Sequence, residues 1–127
     1  LNLGIISADS NDFENSKKYY LRAIELKSDF TSAYINLAAL ILSQEETILK
    51  EMNNLGSSKA DDRKYDKLKQ KRKKMYLEAI PYLESAIAIN PDNYQAAKTL
   101  SNIYSAIGNS EKYKEFKAIA DSLDPSK

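Results

Sequence analysis

The sequence predicts an all-α superhelix, or solenoid, built from about three stacked pairs of helices. Apolar residues recur at spacings of three and four along most of the chain, which is the period of an amphipathic helix face. The 127 residues include only 3 Gly and 3 Pro, which disfavours β-rich and low-complexity folds. Short motifs also return at an interval of 34 residues, and a fixed interval of this size is typical of solenoid repeats.

The 34-residue interval is interrupted at a single place. Leu3 returns as Leu37 and Ala86 returns as Ala120, each 34 residues later. Ala23, however, returns as Ala86 only after 63 residues. The difference indicates about 29 extra residues inside the second repeat.

We therefore predict a single domain, residues 1–127, with an insertion in its middle repeat. Repeat one takes residues 1–30, repeat two takes residues 31–93 and repeat three takes residues 94–127. The extra residues lie at about 45–73, between the two halves of repeat two, and we call this segment the predicted arm.

The first half of the chain divides into three predicted helices. Residues 1–9 are apolar with small residues, and residues 13–26 carry an amphipathic stripe. Thr31 or Ser32 is expected to cap the third helix. That helix should run without a break over residues 33–55, because helical spacing continues there with no Gly or Pro.

The predicted arm reads as a helical hairpin. Gly56 is suited to a left-handed cap at the end of its first helix, and Asp61 or Asp62 can cap the return helix. Two helices with narrow apolar seams and a short connecting turn should pack antiparallel. About 12 extra residues in each helix, at about 1.5 Å per residue, would extend the arm roughly 18 Å beyond the body.

The remaining chain continues as three helical segments. Pro81 lies inside the return helix, where its missing N–H predicts a kink. The residues around Pro91 end that helix. Two further helices are expected at residues 94–107 and 110–123, separated by a stop at Gly108.

Residues at fixed positions in the three units resemble tetratricopeptide repeats, in which each unit is a helix A, a turn and a helix B. Ser16 stands where the family has Ala, and Tyr113 and Lys117 replace a small and a large residue. The matching positions are Leu3, Gly4, Tyr20 and Ala23 in repeat one, Tyr34, Leu37, Ala38, Ala79, Leu83, Ala86 and Pro91 in repeat two, and Leu100, Ser101, Tyr104, Gly108, Ala120 and Pro125 in repeat three.

The resemblance implies a concave groove lined by helix A residues, in which family members bind extended peptides or partner helices. Of the residues that clamp chaperone tails in some members, only Asn36 is matched, so no such clamp is expected. The implied groove residues are Asn2, Ile5, Asp9, Ile35, Asn36, Ala39, Leu42, Gln95, Lys98, Thr99 and Asn102.

One segment of the chain is strongly basic. Residues 63–74 hold eight basic residues and one acid, whereas the remainder holds 11 basic and 17 acidic residues. Clustered Lys and Arg can engage phosphates, but they are also typical of the solvated face of a helix. We take the second interpretation as the better one and keep, as a secondary basic patch, Arg63, Lys64, Lys67, Lys71 and Lys74.

The composition offers little for catalysis. The chain has no Cys and no His, so thiolate chemistry and the usual general base are excluded. No Gly-rich phosphate loop or metal-ligand pattern is present, and nothing points to a cofactor. No apolar run approaches the roughly 20 residues of a membrane-spanning helix. The chain begins without Met, which leaves a removed leader open.

Three functions follow from these patterns, and none of them is enzymatic. The first is a scaffold that binds another protein, as a peptide or an amphipathic helix, in the groove. The second, less favoured, is a binder of nucleic acid or an anionic surface through residues 63–74. The third is a structural protein that forms homo-oligomers. The resemblance leaves the compartment open between the bacterial periplasm or envelope and the cytoplasm.

Overall fold

A computed structural model of the chain describes residues 10–126, and the expected all-α fold is confirmed over this range. No described helix combines the length and the hydrophobicity of a membrane span. The predicted helix at residues 1–9 lies outside the described residues. The described helices are α1 (Ser10–Leu26), α2 (Thr31–Leu42), α3 (Gln44–Asn53), α4 (Lys59–Ile89), α5 (Tyr94–Ala106) and α6 (Ser110–Leu123).

The burial pattern of α2 returns in α5. Ala33, Leu37 and Leu40 are buried in α2, and the residues 63 positions later, Ala96, Leu100 and Ile103, are buried in α5. The neighbouring small residues Ala38 and Ser101 are also buried, so both helices use the same face for the core. The two helices are therefore equivalent elements of two repeats, as the 63-residue interval predicts.

Helix α4 is the central element of the core. It packs against α2, α3 and α5, while α1 packs against α2, and α6 packs against α5. The second half of α4 contributes Ala79, Leu83 and Ala86, which are at most 2% exposed. The small side chains allow close helix contact, and the larger ones fill the space between helices.

Helices α3 and α4 run antiparallel at their junction with the body. Glu45, at the start of α3, contacts Arg72 and Tyr76 in the middle of α4. Ile48 of α3 is only 2% exposed and belongs to the same core cluster as the body helices. The base of the predicted arm is therefore part of the core. Tyr65, in the first half of α4, is 44% exposed.

The prediction of one unbroken helix over residues 33–55 is wrong, because α2 ends at Leu42 and α3 begins at Gln44. Ser43 Oγ donates a hydrogen bond of 2.5 Å to the carbonyl of Leu40, and its backbone N–H is shared between two carbonyls. A Ser side chain that bonds a carbonyl of the preceding turn commonly bends a helix. Apolar spacing continues through the break and does not reveal it.

The turn between α3 and α4 also differs from the sequence expectation. The N-cap of α4 is Ser58, not Asp61 or Asp62, and its Oγ accepts the Asp61 backbone N–H at 3.0 Å. Gly56 does not adopt a positive φ. Its N–H instead donates to Asp61 Oδ2 at 2.9 Å, and an added Cβ would lie 3.0 Å from that oxygen. A side chain at this position would therefore require the Asp61 carboxylate to shift by a few tenths of an ångström.

Several of the other helix ends are set by local capping interactions, not all of which the sequence predicted. Neither Thr31 nor Ser32 caps α2; its N-cap is Phe30, with no side-chain hydrogen bond. Asn93 and Asn109 cap α5 and α6 by accepting backbone N–H groups. Gly108 has φ of 81°, a left-handed conformation that favours Gly at the end of α5.

Pro81 lies within α4, and the helix assignment continues through it. Pro81 cannot donate to the carbonyl of Leu77, one turn before it. Both residues are exposed, so this carbonyl lies on the solvent side of the helix. Water can satisfy the carbonyl there, which makes the proline tolerable at this position.

Candidate functional site

The predicted groove residues of repeat two divide between solvent and core. Asn36 and Ala39 are exposed, whereas Ile35 and Leu42 are half-buried and pack against the core cluster. We call these four residues the repeat-two face. It offers an amide and a small apolar surface, flanked by two aliphatic side chains.

The predicted residues of repeat three occupy the corresponding part of α5. Gln95, Lys98 and Asn102 are exposed, and Thr99 is half-buried. We call these four the repeat-three face. It is polar, whereas the repeat-two face is partly apolar.

The two faces belong to helices that both pack against α4. Helix α4 therefore determines how the faces lie relative to each other. Asn2, Ile5 and Asp9, the repeat-one members of the predicted set, lie outside the described residues. A groove that binds a ligand across both faces stays a prediction.

The secondary basic patch occupies one side of α4. Its five members, at positions 63, 64, 67, 71 and 74, are all exposed, and their spacing puts them within one face of the helix. Of the eight basic residues in segment 63–74, Arg72 is the one that pairs with a carboxylate among the residues described. The other seven basic side chains are exposed to solvent.

A polar network joins α3 to α4 beside this patch. Arg72 Nε donates a hydrogen bond to Glu45 Oε2 at 2.9 Å, and Arg72 Nη2 forms an ion pair with the same oxygen at 2.8 Å. Tyr76 OH donates to the same oxygen, and the guanidinium carbon lies 5.5 Å from the centre of the Tyr76 ring. Burial, followed by the nearby Glu45 carboxylate, raises the pKa of the Tyr76 phenol.

A second ion pair connects α1 to α4. Lys17 Nζ lies 2.6 Å from Glu78 Oε2, and the two side chains are 25% and 39% exposed. The hydrogen bond to Glu78 raises the pKa of Lys17 against the opposing effect of burial. This contact holds equivalent helices of neighbouring repeats together.

Clefts lie on both sides of α4 where it leaves the body. A smaller one, of about 160 Å³, lies on the α3 side and includes Gln44, Lys71 and Lys74. A larger one, of about 340 Å³, lies between α4 and the end of α5. We call the larger one the arm cleft. It is lined by Lys69, Gln70, Arg72, Lys73 and Tyr76 of α4 and by Ala106 and Ile107 at the end of α5.

Sequence reasoning did not find the arm cleft. Its two sides come from segments about 35 residues apart, and no repeat motif joins them. The basic run was visible, but the side of α4 on which each lysine would meet α5 depends on how the arm packs. Lys69 and Lys73 therefore fell outside the predicted patch.

The described part of the chain shows few of the side-chain arrangements that are found in enzyme active sites. Residues 10–126 hold no group of three or more acidic side chains arranged as metal ligands. Every buried side-chain polar atom over this range has a hydrogen-bond partner. The candidate binding sites are therefore exposed surfaces, namely the two helix faces, the basic patch and the arm cleft.

Comparison with known proteins bears on the repeats. Residues 1–30 and 52–93, together more than half of the chain, match the tetratricopeptide repeat family. The second match begins inside the predicted arm, so it does not confirm the insertion. The chain is also 28% identical over 103 residues to Protein O-mannosyl-transferase Tmtc3 of Drosophila melanogaster. That alignment covers 81% of this chain but only 8% of the transferase.

Proposed function

Because the chain belongs to the tetratricopeptide repeat family, whose repeats generally mediate contacts between proteins, we propose that it is a protein-interaction scaffold. Its ligand would be a peptide or an amphipathic helix of another protein. The binding surface would combine the repeat-two face of α2 with the repeat-three face of α5.

One observation carries this proposal. Five of the eight face residues, among them Ala39 and Asn102, are exposed, although the opposite sides of the same helices are almost fully buried. Ala39 and Asn102 are 63 residues apart, so the exposed strips share the register of the repeats. A ligand lying across the repeats would meet equivalent positions in each.

The composition of the faces favours a ligand that is itself amphipathic. Ile35 and Leu42 supply half-buried aliphatic surface, and Asn36, Gln95 and Asn102 supply amides that can bond a peptide backbone. Contacts of this kind depend on apolar area and hydrogen bonds. Affinity should therefore vary little with salt concentration.

We also propose that the chain does not catalyse a reaction. A Ser nucleophile would need a base, and the chain has no His. The relative named as a mannosyl-transferase does not argue against this, because the chain corresponds to only 8% of its length.

Matched surface variants test the groove. Peptides would be selected from a displayed random library on the wild-type chain, and their affinities compared for Ala39→Arg and Ala118→Arg. Both alanines are exposed on helices, but Ala118 lies on α6, outside the proposed surface. We expect Ala39→Arg to weaken the selected peptides by roughly tenfold or more, as loss of a central contact does. Equal affinity for both variants would reject the groove.

Exposed charge supports a second candidate function. The basic patch of Arg63, Lys64, Lys67, Lys71 and Lys74 presents five solvated cations on one side of α4. Such a surface could hold nucleic acid or an anionic membrane. Binding of a DNA or RNA oligonucleotide would then fall steeply as salt rises, because phosphate binding releases counterions. A salt-independent interaction would assign the function to the groove instead.

A further inference from the structure

The arm cleft has two chemically different sides. On the α4 side, Lys69 and Lys73 are exposed, and neither lies within ion-pair distance of a described carboxylate. On the other side, Ala106 and half-buried Ile107 give an apolar surface at the end of α5. A ligand in this cleft would meet positive charge on one side and aliphatic carbon on the other.

Two other polar groups of the cleft are already engaged, whereas the Gln70 side chain is exposed. Arg72 is bonded to Glu45, and Tyr76 OH donates to the same carboxylate. These contacts hold the floor of the cleft in place and leave Lys69 and Lys73 as its available charges. The cleft is therefore pre-formed, and its free cations are both lysines of one helix.

The spacing of the two lysines limits the ligand. They are four residues apart, so they are neighbours on one helix face, about 5–6 Å apart at Cβ. In an extended strand, alternate side chains share one face and lie about 7 Å apart. Carboxylates at positions i and i+2 of an extended segment can thus meet both lysines, and the residue between them points to the opposite side.

We propose that the arm cleft binds an extended segment of a partner protein with an acidic–apolar–acidic pattern. The two carboxylates pair with Lys69 and Lys73, and the central aliphatic side chain lies on Ala106 and Ile107. The cleft shares no residue with the faces of α2 and α5, and Ala106 lies one helical turn beyond Asn102 of the repeat-three face. A ligand in the cleft would therefore give the scaffold a second, electrostatically selective contact.

Charge and spacing favour this occupant over others. A helix that presents carboxylates to Lys69 and Lys73 holds its opposite face about 10 Å away, whereas adjacent side chains of one extended segment can touch both sides of the cleft. The phosphates of a nucleic acid could pair with Lys69 and Lys73, but its backbone would gain nothing from the aliphatic side of the cleft. The acidic residues of a second copy of the described body lie mainly on helices, where positions i and i+2 do not share a face.

Two peptides of identical composition test the pattern. One has the order Gly-Ser-Glu-Leu-Glu-Ser-Gly, and the other Gly-Ser-Leu-Glu-Glu-Ser-Gly, each with a fluorescent label. Fluorescence polarisation should show tighter binding of the first, by roughly fivefold or more, because only it presents both carboxylates to one side. Equal binding of the two orders, or no binding of the first at millimolar concentration, overturns the proposal.

Two charge-reversed chains locate the site. Lys69→Glu with Lys73→Glu changes the cleft, and Lys67→Glu with Lys71→Glu makes the same change, at the same spacing, on the other side of α4. The first pair should weaken the alternating peptide by about tenfold or more, and the second by less than about threefold. Similar losses in both chains would indicate general attraction to the basic segment, and would overturn the cleft.

Controls separate this surface from the groove and from self-association. Thermal unfolding by circular dichroism verifies that both charge-reversed chains are folded. Ala39→Arg should leave the affinity for the alternating peptide unchanged, so the groove and the cleft can fail independently. Sedimentation velocity measures whether the wild-type chain forms a dimer through the arm cleft, and we expect that it does not. A dimer that is lost in the chain with Lys69→Glu and Lys73→Glu would show that a second copy occupies the cleft, and would overturn the proposal.

Discussion

Glu45 links α3 to α4 through a single carboxylate oxygen. It accepts hydrogen bonds from Arg72 and Tyr76, and its side chain is only 30% exposed. Removing it leaves a half-buried guanidinium without its counter-charge and a buried phenol without its acceptor. The sequence shows Glu45 and Arg72 as ordinary charged residues, because their meeting depends on the antiparallel packing of two helices.

We predict that Glu45→Ala lowers the free energy of unfolding by about 1–3 kcal/mol, the cost of leaving partly buried polar groups without partners. Urea denaturation followed by circular dichroism measures the effect. Glu46→Ala is the matched control, since Glu46 pairs with Lys50 at 3.3 Å in a bridge that is 72% and 78% exposed. The control should change stability by less than about 0.5 kcal/mol. Equal effects would mean that the network does not stabilise the fold.

Tyr104 makes stability sensitive to alkaline pH. It is 7% exposed, and burial, followed by the Glu84 carboxylate, raises its pKa to about 12. The unfolded state, with an ordinary Tyr pKa near 10, loses its proton first. Stability is therefore unaffected by this group below about pH 10 and falls between about pH 10 and 12.

We predict that Tyr104→Phe flattens this alkaline decline. At neutral pH the variant should lose about 0.5–1.5 kcal/mol, because the 3.1 Å hydrogen bond to Glu84 is removed. The raised pKa of Lys17 acts in the same direction, so some decline should remain. Urea denaturation at a series of pH values from 7 to 11.5 tests the sign. Parallel pH profiles for wild type and variant would show that Tyr104 is not the sensitive group.

At the scale of elements, helix ends were predicted unevenly. The bounds of α6 follow directly from Gly108 and Pro125, whose backbone constraints act locally. The N-caps of α2 and α4 were predicted wrongly, because several Ser, Thr and Asp residues near each start are chemically competent. The break at Ser43 coincides with a side-chain hydrogen bond to the carbonyl of Leu40, which apolar periodicity does not report.

Helix α5 depends on its cap at Asn93. The Asn93 side chain accepts the backbone N–H of Ala96 at 2.9 Å, and Ala96 is fully buried. We predict that Asn93→Ala destabilises the chain by about 1 kcal/mol in thermal or urea unfolding. Asn102→Ala, at an exposed position within the same helix, should be neutral or slightly stabilising, because Ala is the better helix former. A larger loss in the control would contradict the cap assignment.

The base of the predicted arm stabilises the body through Ile48, which is 2% exposed and belongs to the core cluster. We predict that Ile48→Ala lowers the free energy of unfolding by about 2–4 kcal/mol, the usual cost of a buried cavity. Thr47→Ala, next to it and exposed, should cost far less. If the two substitutions have similar effects, α3 is only loosely attached to the body.

At the scale of the whole molecule, the repeats were predictable because each imposes the same requirement. Leu37 and Leu100 fill equivalent spaces, and Ala38 and Ser101 allow equivalent close contacts. Such packing requirements produce a periodic pattern of residues in the sequence. The arm cleft produces no such pattern, because Lys69 and Ala106 are brought together only by the packing of α4 against α5.

The exposed residues of α2 and α5, such as Asn36 and Gln95, carry amide groups that can bond a peptide backbone. Repeat proteins commonly separate the two properties, with buried positions setting the fold and exposed positions setting the partner. The central claim is therefore tested by locating a ligand.

The most direct measurement is the mapping of a library-selected peptide by amide chemical-shift changes in the ¹⁵N-labelled chain. The proposed scaffold predicts that the changes cluster at Asn36, Ala39, Thr99 and Asn102, on the exposed faces of α2 and α5. Changes confined to residues 45–73, with α2 and α5 unaffected, would contradict the account and assign partner binding to the arm.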